Sequence, residues 1–283
     1  MRTLLLLIFT ALNSTQAFAA EPPVSAAREP GENWETAARR QMPTEPAPRA
    51  SSVLNSAIYY RPGLNVSRLP EWTGSADELD QAFDSVRDDR IYRDPVHAGF
   101  PRRATWLYTR DGCFVRATHS ARRLQQIGFT RAGKVFVFGK LKVVSKYDTR
   151  GASYWWFHVV AAYRIGRDAV IFDPAIDPRS PLTLEAWLQK MSSRITGLRV
   201  AVCDTYAYGP NSICVGGSSR QEAGMPTSLN KFLRLEWNNL LNLRMNPREL
   251  LGDHPPWLIS SSEEISVGAV RRSNHPLVIQ EGD

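Results

Sequence analysis

The sequence predicts an α+β fold in which a helix bearing Cys113 packs on a mostly antiparallel sheet. Apolar residues first recur at helical spacing in two stretches, residues 79–86 and 117–127. Apolar runs typical of strands then follow, at residues 134–138, 154–165, 169–173 and 197–202. A composition of 43% hydrophobic and 22% charged residues is that of a globular protein and excludes a wholly disordered chain.

The first residues predict a cleaved export signal. Arg2 supplies a positive start, residues 4–12 form a short apolar run, and Ala17 and Ala19 are the small residues expected before a cleavage site. We therefore expect residues 1–19 to be a signal peptide and the protein to be secreted or periplasmic. The apolar run is too short to span a bilayer and no later stretch is long enough, so we expect no membrane partner.

The rest of the chain divides by composition. Eight of the 19 prolines lie in residues 20–72, which predicts a linker, a pro-segment or an irregular wrap rather than an independent core. We expect a core at residues 73–215 and a helical C-terminal extension at residues 216–259. Residues 260–283 show little periodicity and are expected to form a tail.

The predicted helices have start and stop signals. Ser75 stands at the N-cap of the first, and Gly128 stands at the C-terminal end of the second. A third helix is predicted at residues 182–191. Periodic apolar residues at 229–241 predict a long amphipathic helix. A partner-binding groove or a membrane surface could use that last helix, although core packing is the more frequent explanation.

Charge and motifs exclude several classes of function. The 35 Lys and Arg residues exceed the 28 Asp and Glu residues, which gives a net charge of +7. Basic pairs are scattered, with no basic block, RNA-binding aromatic motif or zinc-finger spacing, so we expect a solvated basic surface and no nucleic-acid partner. The sequence contains no HExxH, CxxC, Walker or GxSxG motif, so no metal or organic cofactor is expected.

The sequence contains three cysteines. Because cysteines of exported proteins form disulfides in pairs, an odd number leaves one thiol unpaired. Cys203 and Cys214 end a turn-rich stretch and predict a disulfide that closes a short loop. Cys113 is then the unpaired residue. Such a thiol is either buried as a small hydrophobic group or retained for its chemistry.

Cys113 stands where a helix is predicted to begin, directly after Asp111 and Gly112. The positive end of a helix dipole favours the thiolate, which is the nucleophilic form, and such a nucleophile needs a base. Of the five histidines, His158 is the one polar side chain inside the apolar strand at residues 155–162. A buried imidazole needs a hydrogen-bond partner, and a structural histidine bonded to backbone is the competing interpretation.

Strand pairing predicts an acid beside this histidine. If residues 166–167 form a two-residue hairpin loop, the side chains of His158 and Asp173 project from one face as diagonal neighbours. Such neighbours lie about 7–8 Å apart at the backbone, within reach of a carboxylate and an imidazole. Asp173 could instead be only a turn former. With Cys113, the two residues predict a nucleophile, a base and an orienting acid.

Several short blocks, taken in order, resemble bacterial protein glutaminases, which are protein-glutamine deamidases. The blocks are DGCFVRA at 111–117, VFGKLK at 137–142, WWFHV at 155–159, IFDP at 171–174 and the segment 181–187. The resemblance covers about residues 75–215. The order and rough spacing of Cys113, His158 and Asp173 also match.

The resemblance implies a transglutaminase-like, papain-related core that deamidates glutamine side chains in proteins and peptides. It implies a Cys-His-Asp triad, which falls on Cys113, His158 and Asp173 here, so that residues 73–215 would be the catalytic core. It also implies a secreted precursor with an inhibitory pro-segment, to which residues 20–72 correspond in position.

Three functional hypotheses follow. In the first, a monomeric exported protein-glutamine glutaminase hydrolyses the side-chain amide of exposed glutamine in proteins or peptides through a Cys113 thioester. Trp155 and Trp156 would bind the substrate by walling the acyl slot, although alternation sends them to opposite faces, so that one of them fills the core. The second hypothesis keeps the triad in a thiol peptidase, an amidase or a transglutaminase. The third is a non-enzymatic exported binding module with Cys113 buried.

Overall fold

The computed structural model describes residues 24–42 and 51–258, so the signal peptide predicted at 1–19 and the tail predicted at 260–283 lie outside the described residues. The helices are α1 (Trp34–Gln41), α2 (Val53–Ser56), α3 (Ala76–Asp88), α4 (Cys113–Gln126), α5 (Leu184–Met191), α6 (Met225–Asn242) and α7 (Pro247–Leu251). The strands are β1 (Ile58–Tyr59), β2 (Tyr92–Arg93), β3 (Pro101–Arg102), β4 (Gly133–Val144), β5 (Ala152–Ile165), β6 (Asp168–Phe172), β7 (Leu182–Thr183) and β8 (Arg199–Cys203). Short 3-10 helices lie at Ile195–Gly197, Ser219–Glu222 and Pro256–Leu258.

A six-stranded sheet in the order β1-β8-β4-β5-β6-β7 forms the centre of the described chain. Every neighbouring pair in this sheet is antiparallel. β4 and β5 are its long central strands, and most of their side chains are buried on both faces. α4 packs directly against β5. The structure therefore confirms the predicted α+β fold, with the Cys113 helix on a mostly antiparallel sheet.

Local sequence signals explain the two helices that precede the sheet. Ser75 caps α3, since its hydroxyl accepts from the Glu78 amide while the Glu78 carboxylate accepts from the Ser75 amide. α4 begins at Cys113 after Gly112, which has a φ of 82°. A β-carbon at Gly112 would lie 3.0 Å from the Phe232 ring, so both the backbone angle and the close approach require glycine.

The β5–β6 hairpin has the predicted two-residue loop, because Ile165 pairs with Asp168. The pairing has the predicted register but ends at Phe172, one residue before Asp173, so Asp173 is not itself part of the ladder, although its side chain meets His158 as predicted. Asp173 is the first residue beyond the strand, and its carbonyl accepts from two amides of the turn that follows. Its carboxylate therefore approaches the histidine from the end of the strand.

A register shift in the β4–β5 pair changes which side chains share a face. Leu141 pairs with Trp155 but Phe138 pairs with Phe157, so β4 contains one residue more than β5 in this interval. In a regular strand Trp155 and His158 would point to opposite faces, because they lie three positions apart. In the structure their rings stack. The extra residue lies in β4 and not in β5, so the register shift alone does not produce this contact, which strict alternation along β5 does not predict.

The later predicted helices pack on this core. α6 places Leu229, Phe232 and Leu233 in the central hydrophobic cluster that also contains residues of α4 and the sheet. The structure thus gives the amphipathic pattern of α6 its ordinary explanation, which is core packing. Among the helices of residues 24–42 and 51–258, none is both long enough and apolar enough to cross a membrane.

Two of the three cysteines staple the end of β8. Cys203, the last residue of that strand, forms the predicted disulfide with Cys214. Both sulfur-bearing residues are fully buried in the central hydrophobic cluster. Cys113 is the free cysteine.

Candidate active site

Cys113 is the first residue of α4 and is only 1% exposed. Burial raises the pKa of its thiol to about 12, although the charge of Arg116 acts in the opposite direction. Asp111 and Asp173 raise this pKa further. The predicted preference of the helix start for the thiolate is therefore opposed in this structure by burial, which favours the neutral thiol.

His158 and Asp173 form a buried pair. The Nε2 atom of His158 lies 2.8 Å from Oδ2 of Asp173, and the two side chains are 1% and 4% exposed. Burial alone would raise the pKa of Asp173, but the charge of His158 and hydrogen bonds from His158 and Trp187 outweigh it, so the pKa is lowered. Asp173 is thus a carboxylate, and Nε2 carries the proton that it accepts.

The second ring nitrogen of His158 remains available. Nδ1 is buried and has no hydrogen-bond partner among the described residues. The thiol of Cys113 meets the same strand one residue further on, where the backbone N–H of Val159 donates to the sulfur and lowers the pKa of the thiol. The structure therefore brings Cys113 to the stretch of β5 that carries His158, whose unpartnered nitrogen is not the one bound to Asp173.

Two tryptophans hold the imidazole. Trp155 stacks on His158 with ring centroids 4.5 Å apart and an interplanar angle of 7°. Trp187, on α5, lies 5.6 Å from the same ring at 30°, and its Nε1 donates to Oδ2 of Asp173 at 2.8 Å. Trp187 is a site residue that the sequence reasoning missed. Its signal was its place in the last of the resembling blocks, residues 181–187.

The two tryptophans predicted to bind substrate have different surroundings. Trp155 is 1% exposed, contacts His158 and donates from Nε1 to the Thr109 carbonyl at 2.9 Å. Trp156 is 0% exposed, packs near Phe138 and donates to the Ser25 carbonyl at 2.8 Å. Their role in substrate binding stays a prediction, which the position of Trp155 favours over that of Trp156.

Residues 25–28 run beside β5 and pair with it through an isolated β-bridge; they are called the N-terminal strand. Ala27 forms an antiparallel bridge with Trp155. Backbone hydrogen bonds of 2.9 and 3.1 Å tie the same segment to Tyr154 and Trp156. Because β4 occupies one edge of β5 at these positions, the segment takes the edge that β6 leaves free. The proline-rich composition of the N-terminal chain does not predict that it pairs with β5.

The side chain of Asp111 fastens this strand beside the candidate nucleophile. Its carboxylate accepts from the Ser25 hydroxyl at 2.7 Å, from the Ala26 amide at 3.0 Å and from the Gly112 amide at 2.7 Å. Gly112 is the residue before Cys113, so the N-terminal strand lies against the start of α4. The sequence reasoning treated Asp111 only as part of a turn and missed this contact.

The other buried histidine of the described residues, His119, lies apart from this group. His119 is buried on α4, where Nδ1 lies 2.7 Å from the Tyr92 hydroxyl and Nε2 lies 3.2 Å from the Val86 carbonyl. Burial lowers the pKa of His119 to about 4, so this histidine is neutral. Within residues 24–42 and 51–258, no group of three or more His, Cys, Asp or Glu side chains could hold a metal ion.

Comparison with known proteins agrees with the resemblance seen in the sequence. Residues 79–191 match the model of a protein family described as glutaminase. No match was found among the curated proteins.

Solved structures similar to this chain include three forms of protein-glutaminase. A mutant pro-protein-glutaminase has 20% identity and a TM-score of 0.44, over 65% of this chain and 65% of its own. A pro-protein-glutaminase has 19% identity and a TM-score of 0.44, over 74% and 69%. The protein-glutaminase of Chryseobacterium proteolyticum, solved by NMR, has 18% identity and a TM-score of 0.39, over 66% and 92%. The chain thus spans just under two thirds of the first of these structures.

The matched residues 79–191 contain Cys113, the His158–Asp173 pair and Trp187. The family match therefore rests on the part of the chain in which these groups lie together.

Proposed function

We propose that the protein is a protein-glutamine glutaminase, which hydrolyses the side-chain amide of glutamine in proteins or peptides to glutamate and ammonia. The observation that carries this proposal is the buried His158–Asp173 pair, 2.8 Å apart, beside a free cysteine in the segment that matches the glutaminase family. Cys113 would be the nucleophile, His158 the base and Asp173 the group that orients the base.

The hydrogen bond to Asp173 supports a definite proton path. Because Nε2 of His158 donates to the carboxylate, Nδ1 is the nitrogen that can take the Cys113 proton. The resulting thiolate attacks the carbonyl carbon of the glutamine side chain, and backbone donors, including the Cys113 amide at the start of α4, would hold the oxyanion. Nδ1 then returns its proton to the departing nitrogen, which leaves as ammonia.

The thioester formed in this way is resolved by water. Nδ1 of His158 removes a proton from the water molecule, whose oxygen attacks the thioester carbon. The carbon–sulfur bond breaks, glutamate is released and the proton returns to the sulfur. Trp155, stacked on the imidazole, would exclude amines that compete with water, and Asp173 supports the positive charge of the imidazolium in both steps.

We further propose that residues 24–42 act as a pro-segment and that the chain is exported before it is activated. In support, residues 25–28 occupy the edge of β5 beside the site, Asp111 fastens them next to Gly112, and Cys113 is only 1% exposed. A protein substrate could reach the sulfur only after this strand leaves. The burial that raises the pKa of Cys113 would fall at the same time.

The test is ammonia release from a glutamine-rich protein by wild type and by Cys113→Ala, each before and after limited proteolysis of the segment N-terminal to α3. We expect release by the trimmed wild type, an intact substrate chain, no amine incorporation, and at least a roughly 10³-fold loss in Cys113→Ala. Substrate cleavage would indicate a peptidase, and incorporation of an added amine would indicate a transglutaminase. Equal behaviour of wild type and Cys113→Ala would leave only a binding module.

A further inference from the structure

Arg116 is a buried cation one helical turn after Cys113. It is 2% exposed, and on a helix the side chains of residues i and i+3 lie on one face. Its Nη1 donates to the carbonyl of Asp111 at 2.7 Å and to that of Tyr108 at 2.9 Å. These bonds fix the chain that leads into α4, so one function of Arg116 is to set the position of the nucleophile.

The hydrogen bonds to these carbonyls all come from Nη1, so other donor groups of the guanidinium are left without a partner among the described residues. Its Nε and Nη2 atoms are buried and have no hydrogen-bond partner, and no carboxylate oxygen lies within 4.0 Å of it, in the part of the chain that the structure describes. Two other buried cations are paired as expected, Arg102 with Asp94 and Glu236, and Lys134 with Glu222. A buried charge without an opposite charge is costly unless an anion forms beside it.

The charge of Arg116 also acts on the carboxylates of Asp173 and Glu236, but of the groups that it acts on Cys113 is the one that would turn from neutral to anionic in the reaction. We propose that Arg116 is the positive counter-charge of the Cys113 thiolate. Arg116 would hold the sulfur electrostatically when His158 removes its proton, and would leave no permanent ion pair to compete with it. Arg116 is thus a positioning residue that acts through Cys113. Its kinetic consequence rests on the proposed glutaminase function, but its charge effect on the sulfur does not.

The other charges near the Cys113 sulfur act on its pKa in the direction opposite to that of Arg116. Asp111 and Asp173 both raise the pKa of Cys113, whereas Arg116 lowers it. Arg116 also contributes to the lowered pKa of Asp173. Tyr108 and Tyr208 keep raised pKa values through burial and stay neutral. Apart from the imidazolium that His158 forms transiently, Arg116 is the cation acting on the thiol among these groups.

The test compares two alkylating reagents of nearly equal size. Iodoacetate is an anion and iodoacetamide is neutral, and both react by attack of the sulfur on carbon with loss of iodide. Cys203 and Cys214 are joined in a disulfide, so Cys113 is the thiol that reacts. Both reagents need the same opening of the site and the same thiolate, so the ratio of their rates cancels access and thiol ionisation and reports the local charge.

For Arg116→Gln we expect the iodoacetate-to-iodoacetamide ratio to fall about tenfold relative to wild type, as loss of a nearby charge predicts. Arg103→Gln is the matched control. Arg103 also donates to backbone carbonyls, those of Leu251 and Gly252, at 3.0 and 2.7 Å, but it lies outside the site. Its ratio should stay within about twofold of wild type. A ratio in Arg116→Gln that matches the control overturns the proposal.

Arg116→Lys decides the matter if Arg116→Gln does not fold. A buried lysine without a carboxylate loses its proton readily; Lys134, which does have one, already has its pKa lowered to about 8 by burial. We expect the ratio in Arg116→Lys to resemble wild type at low pH and to fall more steeply than in wild type as the pH rises. Parallel pH profiles for the two proteins would refute the proposal. Neither result depends on ammonia release, so failure of the glutaminase function would be seen separately.

Discussion

Individual side chains around His158 each restrict a different motion of its ring. Asp173 binds Nε2 and selects the tautomer, while Trp155 packs flat on the ring with an interplanar angle of 7°. Trp187 does two things, because it lies against the imidazole and donates to the carboxylate. If His158 is the base that we propose, a ring held in this way needs little reorganisation when it accepts a proton, which is how preorganised sites lower barriers.

Replacing His158 by Gln should lower the rate of ammonia release at least about 10³-fold while the protein stays folded. Glutamine can hydrogen-bond to Asp173 but cannot carry a proton between the sulfur and the leaving nitrogen. His119→Gln is the matched control, since both histidines are 1% exposed and both have hydrogen-bond partners. It should retain turnover. Equal loss in both variants, measured with circular dichroism to confirm folding, would contradict the role of His158.

Trp187→Phe should separate the hydrogen bond from the ring contact. Phenylalanine keeps an aromatic ring near His158 but cannot donate to Asp173, so the pKa of Asp173 should rise towards its ordinary value. We expect kcat to fall about tenfold with little change in KM, since one charge-assisted hydrogen bond is lost. In the control Trp106→Phe the lost partner is the Arg87 carbonyl, and kcat should be unchanged. A KM effect alone would argue for substrate contact instead.

His119 should make the stability of the protein depend on pH. Burial lowers the pKa of His119 from 6.5 to about 4. Between these pH values His119 is therefore protonated in the unfolded chain but neutral in the folded protein. Stability from this residue is complete above 6.5 and is lost as the pH falls towards 4. Urea unfolding of wild type and His119→Gln should therefore converge as the pH is lowered through this window. A constant difference between the two proteins would show that His119 does not titrate in this way.

The secondary-structure elements show what local pattern can and cannot predict. The capping box at Ser75 and the two-residue β5–β6 loop depend on neighbouring residues, and both could be predicted. Alternation along β5 could not place Trp155 beside His158, because the two residues lie three positions apart and their contact depends on the packing of the assembled side chains. Desolvation of Cys113 is also a property of the assembled fold, and a helix-terminus argument made from the sequence necessarily omits it.

A substitution at the start of α4 tests whether glycine is required at position 112. Gly112→Ala adds a β-carbon 3.0 Å from Phe232 at a φ of 82°. Gly99→Ala is an unusually close control, because Gly99 has the same φ of 82° and nothing within 4 Å. Both should lose about 1–2 kcal/mol of stability from the backbone angle. Gly112→Ala should lose more, and should also lose activity, because α4 must shift and carry Cys113 with it. Equal unfolding free energies and equal activities would contradict this account.

Considered as a whole, the molecule uses its proline-rich N-terminal chain as part of its core. Ala26 and Ala37 are 0% exposed, and Arg28 is 1% exposed. Composition predicts that residues 20–72 do not form an independent core. It could not indicate which surface they cover, because that depends on an edge of β5 that exists only in the assembled sheet.

Replacing Arg28 is the most direct test of whether the N-terminal strand blocks access to Cys113. Its guanidinium donates to the carbonyls of Trp155, Leu141 and Glu32 at 3.2, 3.1 and 2.8 Å, so it pins the N-terminal strand to β5. We expect Arg28→Ala to increase both Cys113 alkylation and ammonia release by the untrimmed protein about tenfold or more, because buried charged hydrogen bonds of this kind are worth at least about 1.5 kcal/mol.

Arg40→Ala is the control for this change, since Arg40 lies on the same N-terminal segment but its side chain is 47% exposed and forms a surface ion pair with Glu32. Exposed ion pairs contribute little, so neither rate should move. After trimming, wild type and Arg28→Ala should have the same activity, because Arg28 would act only on the closed form. An Arg28→Ala protein that is less active both before and after trimming would mean that residues 24–42 build the site, and that the N-terminal strand supports catalysis instead of blocking it.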